Sequence, residues 1–358
     1  MTRVLVIVVS YNGMPWLERC LGSVYPGANT GQFAPESLKT PCLGANTGHF
    51  APDLYVWDND STDGSADYVA KHFPGAHLVR SAENVGFAKA NNMGFQYALD
   101  HGYDYVYLLN QDAWLAPGAL ETLVAASQAH PDYAVLSPLQ YQDGYQALDP
   151  QFAKLYHGSE EGMGSQTHGH PRPCPARADI PSGIIGGKSL PGREGPTAVR
   201  QHVANGRGRE ATVCEPIPSA EPVEVKRIMA AHWLVPVAAL KAVGPFEEEL
   251  FPLYGQDDDW CNRARYHGYK VGVVPEARAV HDRAQRQEPK EKVIRRNYYT
   301  GSLIRLCDVN RPLWERFLFV CLFTLVKSVK YGSWLPFRYF WQICHQFPAI
   351  RRCRGRRV

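Results

Sequence analysis

The sequence predicts an α/β fold: a doubly wound, mainly parallel sheet followed by a C-terminal helical extension. Three observations carry that expectation. Apolar, β-branched runs alternate with helix-forming segments between Val4 and Pro138, the pattern of strand–helix–strand units. Three of the runs end in polar residues, Ser10-Tyr11-Asn12, Asp58-Asn59-Asp60 and Asn110-Gln111-Asp112. Ligands of such sheets bind at the carboxyl ends of the strands. Beyond Glu288 strand character disappears and the chain reads as helix.

The elements follow in order. Val4–Val9 is a continuous apolar run, as expected of a strand covered on both faces. Pro15 suits the first turn of a helix reaching about Val24. Leu54–Asp58 is a second strand, and Ser61, Asp63 and Ser65 after it are expected as caps and turn formers. A helix to Phe73, a short strand at His77–Arg80 and a helix over Gly86–His101 come next. Tyr105–Leu109 and Ala134–Pro138 are strands that flank a helix at Pro117–His130. From residue 140 to 222 the chain is rich in Gly, Pro, Ser and His and has few apolar runs, so an irregular, mobile insertion is expected there. Order is expected to return over residues 223–287, with a helix after Gln256, a strand at Lys270–Val274, a turn at Pro275 and then Ala279-Val280-His281. Trp260, Ala264 and His267 share one face of that helix, which Gly268 ends. The expected divisions are therefore 1–139, 140–222, 223–287 and 288–358. Gly27–Pro35 recurs as Gly44–Pro52 and reads as a tandem duplication in a surface loop, since two copies are too few for a solenoid.

Bulk properties narrow the function. A net charge of +3 argues against a polyanion-binding role for the molecule as a whole. The charge is uneven, with five arginines and no acid between Arg351 and Val358. Phe317–Val326 is too short an apolar run to span a bilayer, but basic and aromatic residues flank it. That composition suits an in-plane membrane contact or a helical layer packed on the domain. No recognised nucleic-acid-binding module is present, and no nucleic acid is expected. The nine cysteines are dispersed without a Cys-x-x-Cys, which fits a reducing compartment. No export signal precedes the first strand, so a cytoplasmic protein is expected, peripheral on the cytoplasmic face of the membrane. The dinucleotide fingerprint, the P-loop and the Gly-x-Ser-x-Gly elbow are all missing.

What remains is a set of motifs in fixed order. Val8-Val9-Ser10-Tyr11-Asn12 is followed by Trp57–Ser65, Asn84-Val85-Gly86, Leu108–Asp112, the acidic run Gln256-Asp257-Asp258-Asp259 and His281. Jointly these resemble the family 2 glycosyltransferases of GT-A fold, especially their rhamnosyltransferase-like branch. The resemblance covers about Arg3–Leu139 and Val223–Asp282. It implies a metal-dependent, inverting transfer of a sugar from a nucleotide diphosphate sugar to a hydroxyl acceptor, with a glycan or lipid-linked glycan precursor as the expected acceptor. It implies Ser10, Asn12, Asp58, Asn84, Asn92 and Asn110 around the nucleotide sugar. It also implies Asp112 and His281 as ligands of Mn²⁺ or Mg²⁺, a donor set that suits either ion. Asp257 matches the general base, a role a carboxylate within reach of the acceptor hydroxyl can fill. Asp259 is expected at the helix start or at the acceptor, and Asp258 in solvent. Gln256 stands where the family pattern has glutamate. That departure, with the duplicated loop and the insertion, supports the rival reading of a non-catalytic nucleotide-sugar-binding or scaffold protein. Neighbouring carboxylates raise the pKa of Asp257 and a helix N-terminus lowers it, and the sequence leaves that balance open.

Overall fold

A computed structural model describes residues 2–24, 52–145, 147–160, 220–283 and 289–355. The duplicated loop up to residue 51 and residues 161–219 of the expected insertion lie outside the described residues. The predicted strands and helices of the first half are β1 (Val4–Ser10), α1 (Met14–Gly22), β2 (Asp53–Asp58), α2 (Ser65–His72), β3 (His77–Arg80), α3 (Phe87–Asp100) and β4 (Tyr105–Asn110). A three-residue strand, β5 (Ala113–Leu115), precedes α4 (Ala119–Ala129) and β6 (Tyr133–Tyr141). Within the 140–222 segment, Pro150–Glu160 form a helix, α5. Then come β7 (Val223–Glu224), β8 (His232–Pro236), α6 (Val237–Val243), α7 (Gln256–Tyr266) and β9 (Lys270–His281).

The sheet runs β3-β2-β1-β4-β8-β6-β9-β5, with β7 on β9. The pairings from β3 to β4 are all parallel, whereas β8 lies antiparallel between β4 and β6. Two antiparallel steps restore the direction, so β6 and its parallel neighbour β9 end at the same edge as β1, β2 and β4. β1 explains why the centre is stable. Leu5 and Ile7 point into a core shared with Trp233 and Trp260, while Val4, Val6 and Val8 point into another shared with Leu17 and Leu123. Side chains alternate across a strand, so a strand apolar at every position needs a covered layer on both faces. Each such side chain contributes about 1.5–3 kcal/mol on burial.

The expected strand at Lys270–Val274 and the turn at Pro275 prove to be one strand. β9 runs on to His281, and the pairing with β6 jumps from Pro138↔Val274 to Leu139↔Arg278. Pro275 cannot donate to a ladder, and the extra residues form a bulge that bends the strand. Past the bulge β9 pairs antiparallel with β5, with Ala113 opposite His281.

The C-terminal part is helical, as expected: α8 (Lys290–Ile294), a π-helix at Arg295–Thr300, α9 (Gly301–Cys307), α10 (Leu313–Tyr331), α11 (Leu335–His345) and α12 (Phe347–Gly355). It builds its own core from Ile294, Tyr298, Leu303, Val320 and Ile343, joined by Leu250 and Phe251. Among the described residues no helix is long and apolar enough to cross a membrane.

Candidate active site

Ser10, Asp58, Asn110 and His281 each end a strand of the sheet. Ser10 stands opposite Asp58, and Val9 opposite Asn110. Ser10 and Asp58 are buried, and among the described residues Ser10 Oγ and Asp58 Oδ1 have no hydrogen-bond partner. The other carboxylate oxygen of Asp58 accepts from Ser61 N at 3.1 Å. Two orphaned polar atoms side by side are costly unless a ligand completes them.

Asn12 does a different job. Its backbone is left-handed (φ 49°), which asparagine tolerates. Its Oδ1 accepts from Thr62 N at 2.9 Å, and its own N–H donates to Ser61 Oγ at 2.9 Å. It therefore clamps the loops after β1 and β2 together. Asp63 caps α2 as expected, its Oδ1 accepting from Ser65 N at 3.0 Å, and both residues also reach α1: Met14 N donates to Asp63 Oδ2 at 3.1 Å and Gly13 N to Ser65 Oγ at 2.9 Å.

Asn84 and Asn92 both make hydrogen bonds within the protein. Asn84 Oδ1 accepts from Asn59 Nδ2 at 2.8 Å and from Gly86 N at 3.1 Å. Asn92 Oδ1 accepts from Phe246 N at 2.9 Å, while its Nδ2 donates to Phe246 O at 3.0 Å and Glu248 Oε2 at 2.8 Å. Both asparagines fasten chain segments, and Asn92 staples α3 to the loop before α7.

The β5–β9 pairing brings Asp112 to His281, with Oδ1 3.5 Å from Nε2. Burial pushes the Asp112 carboxyl up, but the hydrogen bond and charge of His281, with Arg283 behind it, hold it below the usual range. Arg283 Nε donates to His281 Nδ1 at 3.3 Å and lies 3.4 Å from the buried Asp149. Among the described residues no group of three or more His, Cys, Asp or Glu side chains is gathered for a metal. One carboxylate and one imidazole fit a hard divalent cation that completes its shell with substrate phosphates and water, rather than an all-protein cage.

A cleft of about 1020 Å³ opens beside this edge, lined by Asn110 and His281, by Gln256, Asp257 and Asp258 of α7, and by residues of the π-helix and α9. α7 starts at Gly255, whose φ of 93° suits glycine. A Cβ there would lie 2.7 Å from Thr300 Cγ2 and 3.0 Å from Phe251 Cδ1, so glycine also lets the helix start press against the π-helix. The three carboxylates then diverge. Asp257 is half-buried in the cleft, and its Oδ1 accepts from Asp258 N at 2.9 Å. Its pKa is pushed up to about 7, by burial first and by the charge of Asp258 second, against backbone hydrogen bonds that pull it down. Desolvation thus prevails over the helix terminus.

Asp258 is not merely solvated: both of its oxygens accept from Arg227 Nη1 at 3.0 Å. Asp259 lies in the first turn of α7, the helix start expected of it. It is fully buried and takes Arg263 Nε at 3.2 Å. Arg263 also donates to the carbonyls of Val243 and Pro245 at 2.6 and 2.7 Å. Gln256 is buried, and among the described residues its Oε1 has no hydrogen-bond partner. Of the predicted helix face, Trp260 and Ala264 are buried and His267 is exposed at the helix end.

Sequence reasoning missed four supporting residues. The i, i+4 spacing of Asp259 and Arg263 was the available signal for their pair. Gln111 bridges the ends of β1 and β4, accepting from Tyr11 N at 2.8 Å and donating to Tyr11 O at 3.1 Å. It, Arg227 and Arg283 act across long sequence separations that leave no local pattern.

Residues 5–171 match the family model described as glycosyl transferase family 2. Those residues belong to glycosyl transferase family 2. The activity class is glycosyl transfer, and the sheet is of GT-A type with a helical C-terminal extension. The chain is 26% identical over 375 aligned residues to an N-acetylglucosaminyl-diphospho-decaprenol L-rhamnosyltransferase of Mycobacterium tuberculosis (strain ATCC 25618 / H37Rv), covering 100% of this chain and 98% of that one. Among solved structures, S. aureus TarS is similar at a TM-score of 0.47 and 14% identity, covering 88% of this chain and 42% of that one. A mannosyltransferase, PcManGT from Pyrobaculum calidifontis, in complex with GDP-Man and Mn²⁺, is similar at a TM-score of 0.43 and 16% identity, covering 99% and 73%.

Proposed function

We propose that this glycosyltransferase moves a hexose, rhamnose being the leading candidate, from a nucleotide diphosphate sugar to a hydroxyl of a lipid-linked glycan precursor, with inversion at the anomeric carbon. The observation that carries the reading is Asp257: a carboxylate with a pKa near 7 in the cleft that His281 and Asn110 also line. A general base works best with a pKa near the operating pH. Ionised Asp257 would take the proton of the attacking acceptor hydroxyl while the bond to the diphosphate breaks in line. Asp58 and Ser10 would meet the nucleoside with their unpaired oxygens, and Asn110 would lie at its ribose. Asp112 and His281 would hold a divalent cation, Mn²⁺ or Mg²⁺, which when bound offsets the negative charge growing on the leaving diphosphate. Support for the lipid-linked acceptor and for rhamnose comes from the name of the mycobacterial relative. A role in cell-wall or polysaccharide synthesis on the cytoplasmic face of the membrane follows from that acceptor.

The test is direct product analysis. Purified protein is incubated with dTDP-rhamnose, a prenyl-diphosphate-linked N-acetylglucosamine and Mn²⁺ or Mg²⁺. Transfer with inverted anomeric configuration, lost with chelator and restored by metal, is expected. A retained configuration, or transfer indifferent to chelator, would overturn the mechanism. No turnover with any of a panel of nucleotide diphosphate sugars would overturn the activity.

A further inference from the structure

We infer that Arg305, with Arg227 and Arg296, forms a second anion site in the cleft, one that holds the diphosphate of an amphiphilic acceptor. The inference rests on the glycosyltransferase reading only for what the anion is. The charge of the cleft raises the question. Seven Lys and Arg side chains line it against two carboxylates, Asp257 and Asp258. A nucleotide diphosphate sugar with one divalent cation carries a net charge of about zero, so the donor leaves that surplus uncompensated. One basic residue, Arg283, is committed to the His281 end through Asp149. Of the others, Arg227 pairs with Asp258 at the start of α7, Arg296 is on the π-helix and Arg305 is on α9.

Arg305 is the centre of this second group. It is half-buried, its Nη1 donates to Gly301 O at 2.7 Å, and among the described residues it has no carboxylate partner. Burial is the main cause that lowers its pKa, followed by the charges of Arg316 and Arg227. Arg227 gives one nitrogen to Asp258 and keeps the rest of its guanidinium. The π-helix turns Arg296 and Asn297 to the same cleft. π-helical turns are uncommon and occur frequently at functional sites. A half-buried guanidinium left among like charges is costly alone, and a diphosphate answers it with several charge-assisted hydrogen bonds.

The surroundings favour an amphiphile over a free phosphate. Arg305 lies over the rings of Phe319 and Phe323, 5.3 and 5.0 Å from their centroids. Phe319 is itself exposed and opens a stripe along α10 through Leu322, Val326 and Val329, which is 84% exposed. These residues recur at helical spacing on one face. The charged site and the apolar stripe therefore meet at Phe319, where the head and tail of a prenyl diphosphate would join.

The experiment measures farnesyl diphosphate binding to the full chain in excess UDP and Mn²⁺, which fill the donor site. Farnesol, inorganic pyrophosphate and phosphatidylglycerol vesicles are the comparison arms. Farnesyl diphosphate is expected to bind at least about tenfold more tightly than farnesol or pyrophosphate, and Arg305→Gln to weaken it about tenfold or more with the melting temperature unchanged. Arg305→Lys should fall between. If Arg305→Gln does not fold, Arg296→Gln serves as the second variant, with the same direction expected. Wild-type affinity in the folded glutamine variants would overturn the site, as would equal affinity for farnesol. Pyrophosphate binding as tightly as farnesyl diphosphate would show a free-phosphate site. Vesicle binding that depends on Arg305 while farnesyl diphosphate binding does not would show a general lipid-phosphate site. All of these results stand whether or not sugar transfer is observed.

Discussion

In the proposed mechanism Asp257 concentrates the chemistry, and its environment shifts it toward the neutral acid. The displacement from 3.8 to about 7 also has a consequence for stability. Because the folded-state pKa is the higher one, folding carries no penalty from this group below about 3.8, where both states are protonated. The loss grows as the unfolded state ionises and is complete above about 7. Asp257→Asn is therefore expected to raise the melting temperature at pH 8 by a few degrees and to leave it unchanged at pH 3.5, read by thermal unfolding at both pH values. A stabilising substitution at a residue needed for turnover would mark a site whose strain serves function. If Asp112 and His281 hold the cation as proposed, Asp112→Asn is expected to weaken Mn²⁺ binding by about tenfold to a hundredfold in calorimetry. Unchanged Mn²⁺ affinity would remove Asp112 from the ligand set.

At the scale of elements, α7 is the part that must not move. Asp259 and Arg263 lock it to the end of α6 from beneath, and Gly255 sets its start against the π-helix. Arg263→Met strands a buried carboxylate, at a cost of about 3–5 kcal/mol in denaturant unfolding. Gly255→Ala faces both a left-handed backbone and a 2.7 Å contact, and is expected to cost about 1–3 kcal/mol. The regular elements were legible because a centre strand apolar at every position and helices closed by glycine announce themselves locally. Asp58, Asn110, Asp112 and His281 lie at strand ends of the sheet edge, while Asp257 comes from α7 and shares the cleft with Asn110 and His281. What stayed hidden depends on distant partners. Nothing near Pro275 reveals that β9 continues through a bulge, because β5 and β6 supply the pairing. Nothing near Asn92 reveals that Phe246 and Glu248 claim its amide. The split of the acidic run into one cleft carboxylate and two arginine-paired ones depends on Arg227 for one partner, thirty-one residues from Asp258.

Across the whole molecule, the sheet, the acidic helix and the C-terminal helices meet at one cleft. The inner faces of α10, α11 and α12 are consumed by their own core, as expected of a packed helical layer. The outer face keeps Trp314, Leu318, Leu322, Val326, Val329 and Trp334 exposed, and Lys330 and Arg338 beside them are exposed as well. A membrane surface fits that face. Leu322→Ser/Val326→Ser/Val329→Ser is expected to abolish flotation with anionic liposomes while leaving the melting temperature unchanged, and unchanged flotation would remove α10 from membrane contact. The role of Asp257 as base is the central claim. Its most direct test is the pH dependence of kcat/KM for sugar transfer in wild type and Asp257→Asn, with donor binding measured in parallel. Wild-type activity should rise through a midpoint near pH 7, while the variant stays flat and about 10²–10⁴-fold lower with donor affinity intact. Activity of the variant within a few-fold of wild type, with the same pH midpoint, would contradict it.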